Sequence, residues 1–327
     1  MPPSIAITFT PSSNARAAVD GILGTAANAI YIEHLDDQAR AAALTSAVAI
    51  LAHDTGKELR PHEPALLTNT RLIQFMTAGV DYVPLSLLPA HIPIANNGGA
   101  YADAMAEHAV ALTLAAAKRL LIEHKALTEG VFNQFTRNRT LRGATCGILG
   151  FGGIGKATAR LMRGMGMRIH ALNRSGVTTE PVDWIGAEDQ LASLLASADV
   201  LIVSAPLTRK TQNLLGAAQL AMMKPDAILV NLARGELIDE AALYAHLQAH
   251  KTFFACIDAW WIEPVRHGEF RMNYPFLTLP NVIGSPHNSA SVPGNVEAAL
   301  RHALENIRLV LNGGQPMNLI GEDEKMR

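Results

Sequence analysis

Polar and apolar positions along the chain fall into two series of short apolar runs, with Ala-rich, helix-like stretches between them. The first series holds "SIAITF" (4–9), "NAIYIEHL" (28–35), "TSAVAILAH" (45–53), "TRLIQFMTAGVDYVPLSLLP" (70–89) and "HIPIANNGG" (91–99). After a break at "NNGGAY" (96–101), "ADAMAEHAVALTLAAAKRLL" (102–121) predicts one long helix with an apolar stripe. The second series holds "TCGILGFG" (145–152), "MRIHALN" (167–173), "ADVLIVSAP" (198–206), "AILVNLA" (227–233), "FFACIDAW" (253–260) and "NVIGSPH" (281–287). These runs are continuously apolar rather than alternating, as expected of parallel strands covered on both faces. Strand and helix alternate through both series, which predicts an α/β fold. "PGNVEAALRHALENIRLVLNGG" (293–314) predicts a last amphipathic helix stopped at Gly313, and a charged tail follows it. That helix has no strand of its own, so it is expected to pack back on the first series.

Composition narrows the class. A chain of 327 residues is too long for one small core and suits two domains. With 49% hydrophobic and 17% charged residues it lies far from the disordered regime. A net charge of −2 gives no footprint for nucleic acid or an anionic membrane. Cys146 and Cys256 both sit in apolar runs and read as reduced core thiols, which fits a reducing, cytoplasmic setting. The N-terminal "MPPSIAITF" lacks the basic and apolar regions of a signal peptide. The most apolar long stretch carries His108, Lys118 and Arg119, so no membrane span is expected. No metal-ligand cluster is expected either.

Four places carry candidate chemistry. "GILGFGGIGKATARL" (147–161) sets Gly150-x-Gly152-x-x-Gly155, with Gly153 and Ile154 in the turn, between an apolar strand and a helical run. Glycines there permit the tight turn and close approach of a pyrophosphate, which rests on the amides and positive dipole of the helix start. The expected architecture is a Rossmann dinucleotide-binding domain over residues 99–289. A smaller flavodoxin-like α/β substrate domain is expected to combine residues 1–98 with 290–327. "PDAILVNLARGELID" (225–239) puts Arg234 just past a strand, where a guanidinium can grip a carboxylate bidentately. "CIDAWWIEP" (256–264) puts Asp258 and Glu263 past another strand, and "NVIGSPHNSA" (281–290) puts His287 past a third. Strand ends of one parallel sheet would bring these to one edge beside the nucleotide.

At this point the chain resembles the D-isomer-specific 2-hydroxyacid dehydrogenase family. The resemblance is carried in order by "FMTAGVDYVPL" (75–85), "MAEHAVALTLAAAKR" (105–119), "GILGFGGIG", "APLTRKTQNLL" (205–215), "NLARGELID", "DAWWIEP" and "GSPHNSA". It implies Arg234, Glu263 and His287 as the catalytic set and Ala78, Gly79 and Val80 as the backbone grip on a substrate carboxylate, with Arg234 and His287 also touching substrate. It further implies dinucleotide contacts at Ala205, Pro206, Thr211, Leu232, Ala233, Asp258 and Ala290, as well as at Arg234 and His287. A homodimer built through the dinucleotide domain, with the 102–121 helix contributing, is implied as well. Reduction of a 2-keto acid needs a proton for the carbonyl oxygen, which His287 can give; Glu263 would orient it, and Arg234 would hold the carboxylate. The expected activity is a 2-keto acid reductase of glyoxylate or hydroxypyruvate type.

Two alternatives remain. A formate dehydrogenase-like enzyme is disfavoured because such proteins carry Gln in the place of Glu263. A nucleotide-sensing regulator on the same fold can retain the whole set. Departures from the pattern are Trp260-Trp261, expected to pack beneath the pocket, and a longer loop over 265–275. That loop's Arg266, His267 and Arg271 are expected to be solvated.

Cofactor choice is read at "ALNRSG" (171–176). NAD-specific folds end their second strand on an Asp or Glu that accepts from the ribose hydroxyl. Here Asn173, Arg174 and Ser175 stand there, without an anion to repel a ribose phosphate and with a guanidinium to receive it. The expectation is NADP(H) preferred, with NAD(H) possible.

Overall fold

A computed structural model describes residues 2–326. The chain divides into two compact units: one runs up to Tyr101 and resumes at Val292, the other is Ala102–Ser291.

The first unit is built on five parallel strands: β1 (Ser4–Ile7), β2 (Asn28–Tyr31), β3 (Ala47–Ala52), β4 (Leu72–Phe75) and β5 (Ile94–Ala95), in the order β2-β1-β3-β4-β5. This is the flavodoxin-like order. Successive side chains of β3 go to opposite faces: Ala49 and Leu51 join one core, Ile50 and Ala52 the other. Both faces of β3 are buried, which is why it reads as an unbroken apolar run. The helix Asn295–Leu311 supplies one of those cores with Ala299, Leu300, Ala303, Leu304, Ile307 and Val310, a stripe at helical spacing. Each large member of that stripe stabilises the unit by roughly 1.5–3 kcal/mol on burial. Arg40 and Glu63, both buried, close the opposite side through a forked pair of 2.5 and 2.9 Å.

The second unit holds seven parallel strands: β6 (Thr145–Leu149), β7 (Arg168–Leu172), β8 (Trp184–Gly186), β9 (Val200–Val203), β10 (Ile228–Asn231), β11 (Phe254–Ile257) and β12 (Val282–Gly284), in the order β12-β11-β10-β9-β6-β7-β8. Strand order reverses between β6 and β9, the doubly wound arrangement whose ligand crevice lies at the carboxyl ends of the strands. The expected fold class, Rossmann plus a smaller flavodoxin-like unit, is what the two sheets form.

One element differs from expectation. The long helix is two, Ala102–Ala117 and Leu120–Thr128, because Arg119 takes a left-handed conformation at φ 54°. Its amide closes a tight turn on Ala116 O, its side chain turns to Glu123 at 3.0 Å, and Lys118 Nζ donates to Arg139 O. The first of the two helices lays Ala102 and Ala106 on Ile154 and Ala157, while the second buries none of its residues. Among the described residues, no helix is long and apolar enough to cross a membrane, and no cluster could hold a metal ion.

Candidate active site

The glycine turn follows β6. Gly150 has φ 98°, and a Cβ there would strike the backbone of Ser204 and Ala205 just past β9; at Gly155 a Cβ would strike Gly150 O. These two glycines hold strand, turn and helix together. A Cβ at Gly152, by contrast, would meet nothing within 4 Å, so the backbone is left open on that side. The helix Gly153–Gly164 starts with no side-chain cap and no acid in its first turn. Its free amides and dipole form a site for an anion. Beside it, Ser204 Oγ donates to Gly150 O, and Thr211 Oγ1 donates to Pro206 O at 2.7 Å, closing the loop after Ala205.

Past β7, the side chain of Asn173 is folded into its own turn. Oδ1 accepts from the amides of Ser175 (3.1 Å) and Gly176 (2.7 Å), and Nδ2 donates to Val177 O. Ser175 Oγ also leans on Asn173 Oδ1 at 3.3 Å. The amide of Asn173 is therefore partly spent inside the turn, while Arg174 is exposed at its apex.

Past β10, the buried Asn231 clasps the loop that carries the arginine: Oδ1 accepts from Ala233 N and Nδ2 donates to Arg234 O at 2.8 Å. Leu232 is buried beside it. Gly235 comes so close to the main chain of Trp260 and Trp261 that a Cβ would lie 2.5 Å from each. Only glycine permits this approach, which sets Arg234 beside the loop of Glu263. Glu236 then forks onto Arg266 at 2.5 and 3.1 Å, and Glu263 N donates to His267 Nδ1. The expectation of a solvated 265–275 loop therefore fails at Arg266, whose side chain is only 11% exposed, while His267 is exposed as expected even though its ring accepts from the Glu263 amide. Arg271 does lie on the surface, paired with Glu269 and Asn273.

Past β11 and β12, His287 Nδ1 lies 2.8 Å from Glu263 Oε1, which also accepts from Trp260 N at 2.7 Å. Glu263 is buried. Burial alone would raise its carboxyl, but the His287 hydrogen bond and charge, the Trp260 amide and the Arg234 charge outweigh it and hold the group below its ordinary value. His287 adopts φ 50°, unusual for a residue with a Cβ, and its side chain is 32% exposed. Trp260 packs under this segment, donating Nε1–H to Ser285 O, and Trp261 stacks on Phe276 at 5.3 Å. Asp258 is fully buried and accepts on Oδ1 from Ser285 Oγ (2.6 Å) and the Asn288 amide (3.3 Å), while Oδ2 has no hydrogen-bond partner among the described residues. Ala290 lies half-buried at the end of the loop.

Arg234, Asp258, Glu263 and His287 thus stand past three adjacent strands of one sheet. Ala78, Gly79 and Val80 belong to the other unit, just past β4, where their amides donate to no backbone carbonyl among the described residues. Sequence reasoning passed over Asn231, Ser285 and the pairing of Glu236 with Arg266. It also passed over His108, whose Nε2 reaches Ser285 Oγ at 3.0 Å. A usable signal existed for Asn231, a polar residue closing an apolar strand. The others depend on partners far away in the chain.

A doubly wound sheet with a glycine turn at its switch point and a His–Glu pair at neighbouring strand ends defines a dinucleotide-fold protein. Residues 110–289 match the family model described as the D-isomer specific 2-hydroxyacid dehydrogenase NAD binding domain, and the chain belongs to that family. It is 34% identical over 232 residues to D-3-phosphoglycerate dehydrogenase of Methanocaldococcus jannaschii, a match covering 70% of this chain and 43% of that one. It is 33% identical over 269 residues to glyoxylate reductase of Aeropyrum pernix, covering 77% of each. The match to the phosphoglycerate dehydrogenase thus spans less than half of that relative. A crystal structure of a D-isomer specific 2-hydroxyacid dehydrogenase from Xanthobacter autotrophicus, in complex with NADPH and MES, shares the fold with a TM-score of 0.82 at 22% identity over 98% of each chain.

Proposed function

We propose that the protein is a dinucleotide-dependent D-2-hydroxyacid dehydrogenase that works as a reductase of small 2-keto acids, of glyoxylate or hydroxypyruvate type, with NADP(H) preferred. The observation that carries this is the Glu263–His287 pair at 2.8 Å with Arg234 acting on the same carboxylate. The residues present fit a dinucleotide. Gly152 leaves backbone open to a pyrophosphate, the helix behind it is uncapped, and Asp258 Oδ2 is a buried acceptor awaiting an N–H donor. The turn over 150–155 would hold the pyrophosphate, Arg174 and Ser175 a ribose phosphate, and Asp258 the nicotinamide end. When bound, the cofactor supplies the hydride.

The chain's own residues do the rest. Glu263 remains a carboxylate at neutral pH and keeps the proton on His287 Nδ1, leaving Nε2 to carry the proton given to the carbonyl oxygen. Arg234 orients the substrate carboxylate and polarises the carbonyl. Ala78, Gly79 and Val80 offer amides to that carboxylate. The turn at Asn173 supports NADP(H) by what it lacks, since no carboxylate there opposes a phosphate; the fold of Asn173 onto itself leaves Arg174 as the principal donor. The exposed apolar side chains of Leu120, Leu121, Leu127, Phe132 and Phe135 support a homodimer formed through the second unit. The reduced state of both thiols supports a cytoplasmic setting.

Turnover with NADPH and NADH against glyoxylate, hydroxypyruvate and bulkier 2-keto acids tests the reading. Reduction of one or more, faster with NADPH, is expected. Dinucleotide binding without turnover of any of them would overturn the enzyme in favour of a nucleotide-sensing protein.

A further inference from the structure

One more titratable side chain reaches the same strand ends, from a helix. His108, on Ala102–Ala117, puts Nε2 3.0 Å from Ser285 Oγ and 3.6 Å from Asp258 Oδ1. Ser285 Oγ lies 2.6 Å from that same carboxylate oxygen. Counting protons gives the chain its direction. A hydroxyl holds a single proton and an ionised carboxylate only accepts. Ser285 therefore donates to Asp258, and its oxygen accepts from His108 Nε2–H.

Asp258 Oδ1 is thus committed, with the Asn288 amide as a longer second donor at 3.3 Å. Oδ2, equally buried, has no hydrogen-bond partner among the described residues. A carboxylate with so few donors is costly to bury. His108, polarising the serine from behind, stabilises the committed oxygen and fixes the rotation of the group, so that the open oxygen has one direction in which to receive a donor.

We propose that His108 is a positioning residue for the nicotinamide end of the dinucleotide site. Acting through Ser285, it locks Asp258 so that Oδ2 accepts from an N–H donor such as a carboxamide. This rests on the dinucleotide reading above. His108 touches none of the reacting atoms, and its effect is carried by two hydrogen bonds linking a helix to the ends of β11 and β12.

The test is equilibrium binding, by calorimetry, of three probes to the full chain and to His108→Ala and His108→Gln. The probes are NADPH, its acetylpyridine analogue, which lacks the carboxamide N–H, and ADP-ribose, which lacks the nicotinamide. His108→Ala is expected to weaken NADPH about tenfold, the worth of one good hydrogen bond, and to leave ADP-ribose unchanged. It should also shrink the preference for NADPH over the acetylpyridine analogue. His108→Gln, whose amide can donate to Ser285, is expected to recover most of the loss. Equal weakening of ADP-ribose would overturn the proposal, since a packing defect acts on both halves. Unchanged NADPH binding would overturn it as well. A wild-type protein that bound none of the probes would overturn the dinucleotide reading itself, and that result is seen before any substitution is made.

Discussion

His287 shows what one residue costs and returns. A left-handed φ of 50° in a residue with a Cβ stores ~1 kcal/mol or more. The bond to Glu263 keeps it there, with the imidazole aimed by its Nδ1. If His287 is the proton donor, His287→Ala lowers keto acid turnover by ~10²–10⁴-fold while NADPH binding stays largely intact; steady-state kinetics beside a binding titration separates the two. Glu263 adds a pH signature. Its folded value lies below the ordinary one, so its carboxylate form adds stability that is fully present above the ordinary glutamate range and drains away as pH falls through the depressed value. In urea melts at about pH 7 and at about pH 3, the stability gap between wild type and Glu263→Gln should therefore narrow on acidification; a gap that held constant would mean the pair contributes nothing. At the turn past β7, Arg174→Ala should raise KM for NADPH with little change for NADH, and Asn173→Asp should shift preference toward NADH.

At the scale of elements, legibility follows burial. "VLIV" and "ILVN" became β9 and β10 because every residue in them is covered on both faces, so the apolar run and the strand coincide. β8 was invisible: Trp184 and Ile185 are only half-buried at the sheet edge, in a strand of three residues. The break at Arg119 was equally silent, with no Gly or Pro to announce it and its anchor at Arg139 supplied by tertiary structure. In the site, residues with distinctive chemistry at strand ends stood out, whereas Arg266 read as solvent-facing until Glu236, 30 positions away, was beside it. The same blindness covers Arg40, a helical Arg in an unremarkable sequence. Its guanidinium holds Glu63, Ile32 O and Glu58 O at once. Arg40→Ala strands a buried carboxylate and should cost ~3–5 kcal/mol, read as a lower denaturation midpoint with unchanged slope.

At the scale of the molecule, two sheets of unlike strand order carry different groups, one the glycine turn and the His–Glu pair, the other Ala78, Gly79 and Val80 just past β4. Solvent meets an apolar group on the second unit in which Phe132 is 75% and Phe135 91% exposed. Paired Phe132→Asp and Phe135→Asp changes should move the sedimentation coefficient from dimer to monomer at micromolar protein with circular dichroism unaltered; a wild type that sediments as a monomer would dispose of the dimer. The division into units also decides what an experimenter can see. All 3 tryptophans, Trp184, Trp260 and Trp261, and both cysteines lie within Ala102–Ser291. The thiols are sealed, with burial pushing Cys146 and Cys256 up to about 12, so a labelling reagent reaches them only when that unit opens. A melt followed by indole emission or by thiol labelling is therefore a melt of Ala102–Ser291 alone, and a circular-dichroism curve that parts from it measures the other unit.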